Sequence, residues 1–390
     1  MKVLRDFSVS SVAAGFVAVL VGLTSSVVIV FQAARAAGAT PEQAGSWLWA
    51  LGLGMGATTI GLSLRYRTPV LIAWSTPGAA LLITSVAGVT LQEATGAFVL
   101  TGLLILGVGA TGVFERAIDR IPGALAAALL AGVLLRFALD GFAAAQTRPA
   151  LVISMAGAYI VVRRLMPRYA VLAALAVGLL ITWIEGLFGT FDLPSGLTRP
   201  EWVTPHFSLS AAIGVALPLF IVTMASQNVP GVAALHAHGY RPPISPIITT
   251  TGVATVALAP FGGYTFNLAA ITASICLGRE AHPDPQRRYT AAIASGVFYA
   301  IVGLFGAAVA GMLAAFPREL VVAIAGLALL GTIGNGLAAA VRDERQREAA
   351  LVTFVVTASG VTLLSIGSAF WGLVAGVAVA GVGRIGTRSV

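Results

Sequence analysis

Three short strings interrupt an otherwise apolar chain, and they are where chemistry could occur. The first is Trp74-Ser75-Thr76-Pro77-Gly78, inside the apolar stretch 69–86. A proline and a glycine at mid-span break a continuous helix. They suit a helix that begins there, with Thr76 as N-cap, Pro77 as first helical residue and residues 70–75 extended. The second is Gly262-Gly263-Tyr264-Thr265-Phe266-Asn267, after Pro260, in the stretch 261–278. It follows the same logic, with Thr265 or Asn267 as the cap of a second helix. A helix start presents unpaired N–H groups and a partial charge of roughly +0.5. Two such starts at corresponding depths make a site for a small anion such as a carboxylate. Two kinked helices in a bundle are the plainer reading, and the pairing of the breaks argues against it.

The third string is Ser226-Gln227-Asn228. Three adjacent polar side chains in an apolar span are costly without partners. Gln and Asn both donate and accept, so they suit a carboxylate or a water; helix–helix hydrogen bonding is their other use. Thr24, Ser25 and Ser26 stand at the matching place near the start of the chain, where interhelical packing is the simpler role.

The elements that must position these strings follow from composition. Hydrophobic residues make up 58% of the 390 residues and charged residues 10%. A soluble domain carries about 25% charged residues, so a soluble fold, a disordered chain and a nucleic-acid-binding domain are all excluded. The net charge of +8 fits the basic excess on the cytoplasmic side of membrane proteins. The single cysteine, Cys276, rules out a disulfide framework and reads as a small core residue. The run after Lys2 and Arg5 is longer than a signal-peptide core of about 7–15 residues, so it reads as a retained first transmembrane helix.

About 20 apolar residues cross a bilayer. That length yields fourteen spans: 9–34, 44–64, 69–86, 94–114, 121–141, 149–165, 169–189, 208–235, 244–259, 261–278, 290–314, 318–339, 349–367 and 369–386. With both termini in the cytoplasm, all of the 23 basic residues except Arg35, Arg136, Arg148, Arg199 and Arg318 fall on the cytoplasmic side. The longest outer loop, 187–207, divides the chain near its middle.

The halves resemble each other. Phe7-Ser8-Val9-Ser10 opens span one and Phe207-Ser208-Leu209-Ser210 opens span eight. Ser26 matches Ser226, Ile121-Pro122 matches Phe316-Pro317, and Ala131-Gly132 matches Ala325-Gly326. Seven spans per half is odd, so the second half enters from the opposite side, as in many secondary transporters. The expected architecture is therefore an all-α polytopic membrane protein with a seven-plus-seven inverted repeat, 1–205 and 206–390.

The 15 acidic residues and four histidines (His206, His236, His238, His282) all lie in loops or near span ends. No metal cluster, catalytic triad or phosphate loop is evident, so neither a cofactor nor an enzyme activity is expected. A proton-coupled carrier usually has a titratable group in its path; here Glu185, Asp140 or the substrate's own carboxylate are the options.

Thr76-Pro77-Gly78-Ala79-Ala80, Ser226-Gln227-Asn228-Val229-Pro230-Gly231 and Asn267-Leu268-Ala269-Ala270-Ile271-Thr272 resemble the bacterial benzoate–proton symporters, relatives of the nucleobase and ascorbate transporters. The similarity runs through nearly the whole chain. It implies segments three and ten built as short facing strands, a core domain (1–115 and 206–315) and a gate domain (116–205 and 316–390). Nucleobase relatives carry acidic residues where Gln227 and Phe266 stand here, and losing both carboxylates fits an anionic substrate.

The resemblance thus implies import of benzoate or a similar small aromatic carboxylate with a proton, across the bacterial inner membrane. Backbone groups at Thr76, Pro77, Gly78, Thr265 and Asn267 are expected to hold the carboxylate. Ser226, Gln227 and Asn228 are expected to orient it, and Phe266, Tyr264 and Trp74 to contact the ring. The alternatives are a same-fold carrier of a nucleobase or inorganic anion, and a channel-like or non-transporting membrane protein. Related folds often form homodimers, although no face in the sequence marks one.

Overall fold

A computed structural model of the chain describes residues 5–86, 88–118, 121–166, 169–189, 196–306, 315–361, 363 and 368–386. The expected ends of spans eleven and thirteen (307–314 and 364–367), the loop segment 190–195 and the extreme termini lie outside these residues, as do the side chains of Thr24 and Ser25.

The first half runs through α1 (Val9–Ala36), α2 (Pro41–Tyr66), β1 (Ile72–Trp74), α3 (Thr76–Ser85), α4 (Leu91–Thr111), α5 (Val113–Ile118), α6 (Gly123–Ala143), α7 (Pro149–Leu165) and α8 (Ala170–Ile184). The second half runs through α9 (Leu209–Ala237), α10 (Ile244–Leu258), β2 (Phe266–Leu268), α11 (Ile271–Leu277), α12 (Tyr289–Leu304), α13 (Arg318–Ala340), α14 (Arg347–Ser359) and α15 (Ser368–Gly386). Among the described residues, six helices are long and apolar enough to cross a membrane.

Local chemistry sets where these helices begin. Ser8 accepts the Ser11 N–H at 3.1 Å, and Ser208 accepts the Ala211 N–H at 3.2 Å. The two Phe-Ser-x-Ser strings therefore cap α1 and α9 in the same way. Glu115 caps α10 from a distance, its carboxylate accepting the Ile244 and Ser245 N–H groups at 2.9 Å each.

Helix α9 contains two π turns, Ala212–Ala216 and Met224–Asn228. Each precedes a proline, Pro218 and Pro230. A proline lacks the N–H and crowds the carbonyl four residues back. Widening that turn relieves the clash, and such bulges recur at functional sites.

The packing partners repeat between halves. Helix α2 packs on α12 as α10 packs on α4, α7 on α8 as α14 on α15, and α6 on α13. Backbones approach closely at these seams: a Cβ on Gly52 would lie 2.6 Å from Gly303 Cα, and one on Gly109 would lie 2.5 Å from the Thr249 backbone. Small residues permit this contact where lipid supplies no hydrophobic drive between helices.

The two strands pair antiparallel, with Ile72 opposite Leu268, Ala73 opposite Asn267 and Trp74 opposite Phe266. A short sheet buried among helices needs partners for its outer edges. Two threonines supply them. Thr59 Oγ1 on α2 accepts the Ile72 N–H at 2.9 Å, and Thr255 Oγ1 on α10 accepts the Phe266 N–H at 3.1 Å. Asn228 Oδ1 accepts the Leu268 N–H at 2.9 Å. None of these three anchoring roles was expected.

Candidate functional site

A cavity of about 310 Å³ lies where the two broken segments meet. Its wall comes from Val21, Gly22 and Ser26 on α1, Met55 on α2, Ala73 and Trp74 on β1, Thr76 and Pro77 at the start of α3, Gln227 on α9, Ala269 to Thr272 around the start of α11, and Tyr299 on α12. Of the expected site residues, Trp74, Thr76, Pro77 and Gln227 are in this wall. Among its described residues there is no carboxylate, histidine, lysine or arginine.

Trp74 is held in place by its indole. Its Nε1–H donates to Ser26 Oγ at 3.0 Å, and Ser26 in turn donates to the Gly22 carbonyl at 2.7 Å. The Trp74 and Tyr299 rings meet edge to face at 6.5 Å, which gives the cavity an aromatic flank. Tyr299 and Ser26 were absent from the expected site. A lone tyrosine in an apolar span carries no motif, and only the fold brings it here.

The helix starts differ from expectation. Ser75, not Thr76, is the N-cap of α3, and its hydroxyl accepts the Gly78 N–H at 3.0 Å. Gly78 is buried beside Leu219, outside the cavity wall, with its N–H already used. At the second break, neither Thr265 nor Asn267 caps a helix. The chain first completes β2, and the Ala269 N–H extends the pairing to the Leu71 carbonyl at 3.0 Å. Only then does α11 begin, with Ala270 at its cap position and no side-chain cap. The uncapped N–H groups thus sit at Ala270 to Thr272, further along the chain than expected, and these residues line the cavity.

Six more expected residues lie outside the wall. Tyr264 packs against Trp47 at 5.9 Å and Phe98 at 6.2 Å, and its hydroxyl donates to the Ser75 carbonyl at 3.0 Å. The Phe266 ring lies over Gly54, where an added Cβ would come within 2.4 Å of it. Thr265 is fully buried. Asn267 is fully buried too, and its amide donates to the Leu268 carbonyl at 3.0 Å. Asn228 has both polar atoms in use, Oδ1 on Leu268 and Nδ2 against Met224 Sδ at 3.2 Å. Ser226 is half-buried and is not in the wall. Successive helical residues point in different directions, so one of the three adjacent polar residues, Gln227, faces the space.

Asn228→Ala tests the anchoring role. The substitution leaves the buried Leu268 N–H without an acceptor, which costs about 1–3 kcal/mol. A lower unfolding midpoint in detergent is expected; an unchanged midpoint contradicts the role.

A family model described as benzoate membrane transport protein matches residues 5–382 of the chain. The chain is 51% identical over 375 residues to "Inner membrane protein YdcO" of Escherichia coli (strain K12), covering 96% of each. It is 40% identical over 373 residues to the "Benzoate membrane transport protein" of Acinetobacter baylyi, covering 96% of this chain and 95% of that one. Among solved structures it resembles SLC26A9, with TM-score 0.55 at 13% identity, covering 98% of this chain and 66% of that one. It also resembles the murine Slc26a9 anion transporter in the inward-facing state, with TM-score 0.51 at 11% identity, covering 98% of this chain and 69% of that one. At these identities the two structures share the fold alone.

Proposed function

The chain belongs to the family of benzoate membrane transport proteins, and from that premise we propose that it imports benzoate or a similar small aromatic carboxylate with a proton, by alternating access. The observation that carries the reading is the cavity between the broken segments. The uncapped start of α11 supplies N–H groups and a partial positive charge for the carboxylate. Gln227 supplies an amide donor, and Trp74 and Tyr299 flank the ring. A volume of about 310 Å³ is at the small end of ligand pockets, roughly 300–1,000 Å³. Thr76 and Pro77 complete the wall, while Ser226, Asn228, Tyr264, Thr265, Phe266, Asn267 and Gly78 support it from behind.

The reading includes fourteen segments in a seven-plus-seven inverted repeat. The matched caps of α1 and α9, the exchange of packing partners and the antiparallel strand pair support it. The core (1–115 and 206–315) moves against the gate (116–205 and 316–390), with both termini in the cytoplasm and the chain in the bacterial inner membrane. The substrate binds here as its carboxylate anion, and the coupling proton is carried outside this wall, which among its described residues holds no carboxylate or histidine.

Equilibrium binding of labelled benzoate to the purified protein tests the substrate. Saturable binding displaced by substituted benzoates, but not by uracil or bicarbonate, is expected. Binding of labelled bicarbonate with none of benzoate would transfer the site to an inorganic anion; the murine structural relative is titled an anion transporter. In the same assay Trp74→Phe, which removes the indole bond to Ser26, is expected to weaken benzoate binding about three- to tenfold, the worth of one hydrogen bond. Unchanged affinity would show that the indole bond to Ser26 does not hold the ring in its binding position.

A further inference from the structure

A second cavity, of about 460 Å³, lies at the other end of α11. Its wall includes Arg163 at the end of α7, His238 just beyond α9, Arg279 and Glu280 after α11, Arg288 before α12 and Asn335 on α13. The proposed transport step uses none of them. In the proposed division α7 and α13 belong to the gate and the other elements to the core, so the space sits on the seam between moving parts.

The charges in this wall do not balance. Glu280 faces Arg163 at 4.0 Å. Arg163 also donates to the Tyr159 hydroxyl and lies over its ring. Arg279 and Arg288 make no ion pair among the described residues. Arg288 is only 6% exposed. Its Nε and Nη1 donate to the carbonyls of His282 and Leu277 at 2.8 Å each. Those acceptors are neutral, and a buried guanidinium with no counter-charge is costly. Burial, with the Arg288 charge beside it, holds His238 below the usual imidazole range, so it adds no charge at neutral pH.

The position follows from helix geometry. Helix α11 is seven residues long, about 10 Å at ~1.5 Å per residue. Its first residues line the central cavity and the residues just past its end line the second one. Helix α9 connects the two in the same way, with Gln227 in one wall and His238 in the other.

We propose that this second cavity is an anion vestibule, in which Arg279 and Arg288 hold a small carboxylate between the central cavity and the membrane face that carries these arginines. The assignment rests on the transport reading for its substrate and on the unbalanced wall for its charge preference. A lipid phosphate offers the same negative charge, and the test separates the two sources.

The test is equilibrium dialysis of labelled benzoate, and separately of labelled thiocyanate, against the full chain in nanodiscs of zwitterionic lipid, with a parallel set containing anionic lipid. Two benzoate components are expected, with thiocyanate displacing the weaker one. Arg279→Gln is expected to weaken that component about tenfold, the loss of one charge-assisted contact, and to leave the stronger component unchanged. Arg288→Gln should abolish the weaker component and Arg288→Lys should retain part of it, since Lys keeps the charge but not the fork that bonds the His282 and Leu277 carbonyls. A weaker component indifferent to Arg279→Gln, or absent while the stronger one is intact, overturns the proposal. If benzoate binds at neither site, the transport reading fails; thiocyanate binding that falls in Arg279→Gln then still supports the vestibule, and thiocyanate binding that does not overturns it. A component seen in zwitterionic nanodiscs and lost in anionic ones assigns the pocket to a lipid headgroup and overturns the carboxylate assignment.

Discussion

Gln227→Glu is expected to bind benzoate roughly a hundredfold more weakly than the unaltered protein at neutral pH. Gln227 lies in the wall of a cavity with no described charged side chain. The substitution keeps the shape and adds a negative charge beside an anionic substrate. Two like charges ~5 Å apart repel by about 3 kcal/mol at an effective dielectric constant of ~20, and every ~1.4 kcal/mol is tenfold in affinity. The effect has a sign in pH. An introduced carboxyl in apolar surroundings beside an anion titrates above its ordinary range. As pH falls through that value the group becomes neutral and affinity recovers. Gln227→Ala loses only the amide contact, about tenfold, with no such recovery. Binding titrations of both variants across pH check this. If the two lose affinity equally at every pH, the carboxylate does not sit beside Gln227.

Gly262→Ala is expected to have the largest effect on folding. Gly262 has φ +94°, a region that side chains rarely adopt, and an added Cβ would lie 1.8 Å from Trp47 Cδ1. Trp47 cannot give way. It is buried and locked edge to face with Phe98 at 5.4 Å, with Tyr264 at 5.9 Å. Backbone strain of about 1–3 kcal/mol and overpacking of about 1–3 kcal/mol add in the same place. The turn at Gly262 delivers the chain to β2, so the strand and the start of α11 shift with it. A strongly lowered unfolding midpoint and lost benzoate binding are expected. Gly107→Ala is the control: a Cβ there meets nothing within 4 Å, and alanine is the better helix former by about 1 kcal/mol. Equal midpoints for the two variants would contradict the argument.

How much of this was legible in the sequence depends on the kind of signal. Apolar length and the paired Pro/Gly breaks sufficed for a helical membrane protein with two interrupted segments, because lipid leaves the backbone few alternatives. The strand at 72–74 fell inside the expected extended stretch, and the helix start at the first break missed by one residue. At the second break the error was larger. The same residues that could cap a helix, Thr265 and Asn267, could also form a strand, and pairing with residues 72–74 decided the matter. Two of the expected ring contacts, Tyr264 and Phe266, lie outside the cavity wall for a related reason, while Trp74 is in it. Side chains alternate across a strand, and no local pattern says which face meets the cavity; Phe266 went to Gly54. In the polar trio the sequence located the right turn of α9 but not the direction of each side chain. Tyr299 and the anchors Thr59 and Thr255 left no local mark, since their roles exist only through contacts between distant segments.

We propose that this chain carries an aromatic carboxylate through the cavity between its broken segments. The most direct measurement is uptake of labelled benzoate into proteoliposomes, with and without an imposed inward proton gradient, for the unaltered protein and for Gln227→Glu. Saturable uptake that rises with the gradient and falls about a hundredfold in the variant at low substrate is expected, from repulsion between the introduced carboxylate and that of the substrate. Saturable uptake unchanged by Gln227→Glu, or no benzoate uptake by correctly folded protein, would contradict it.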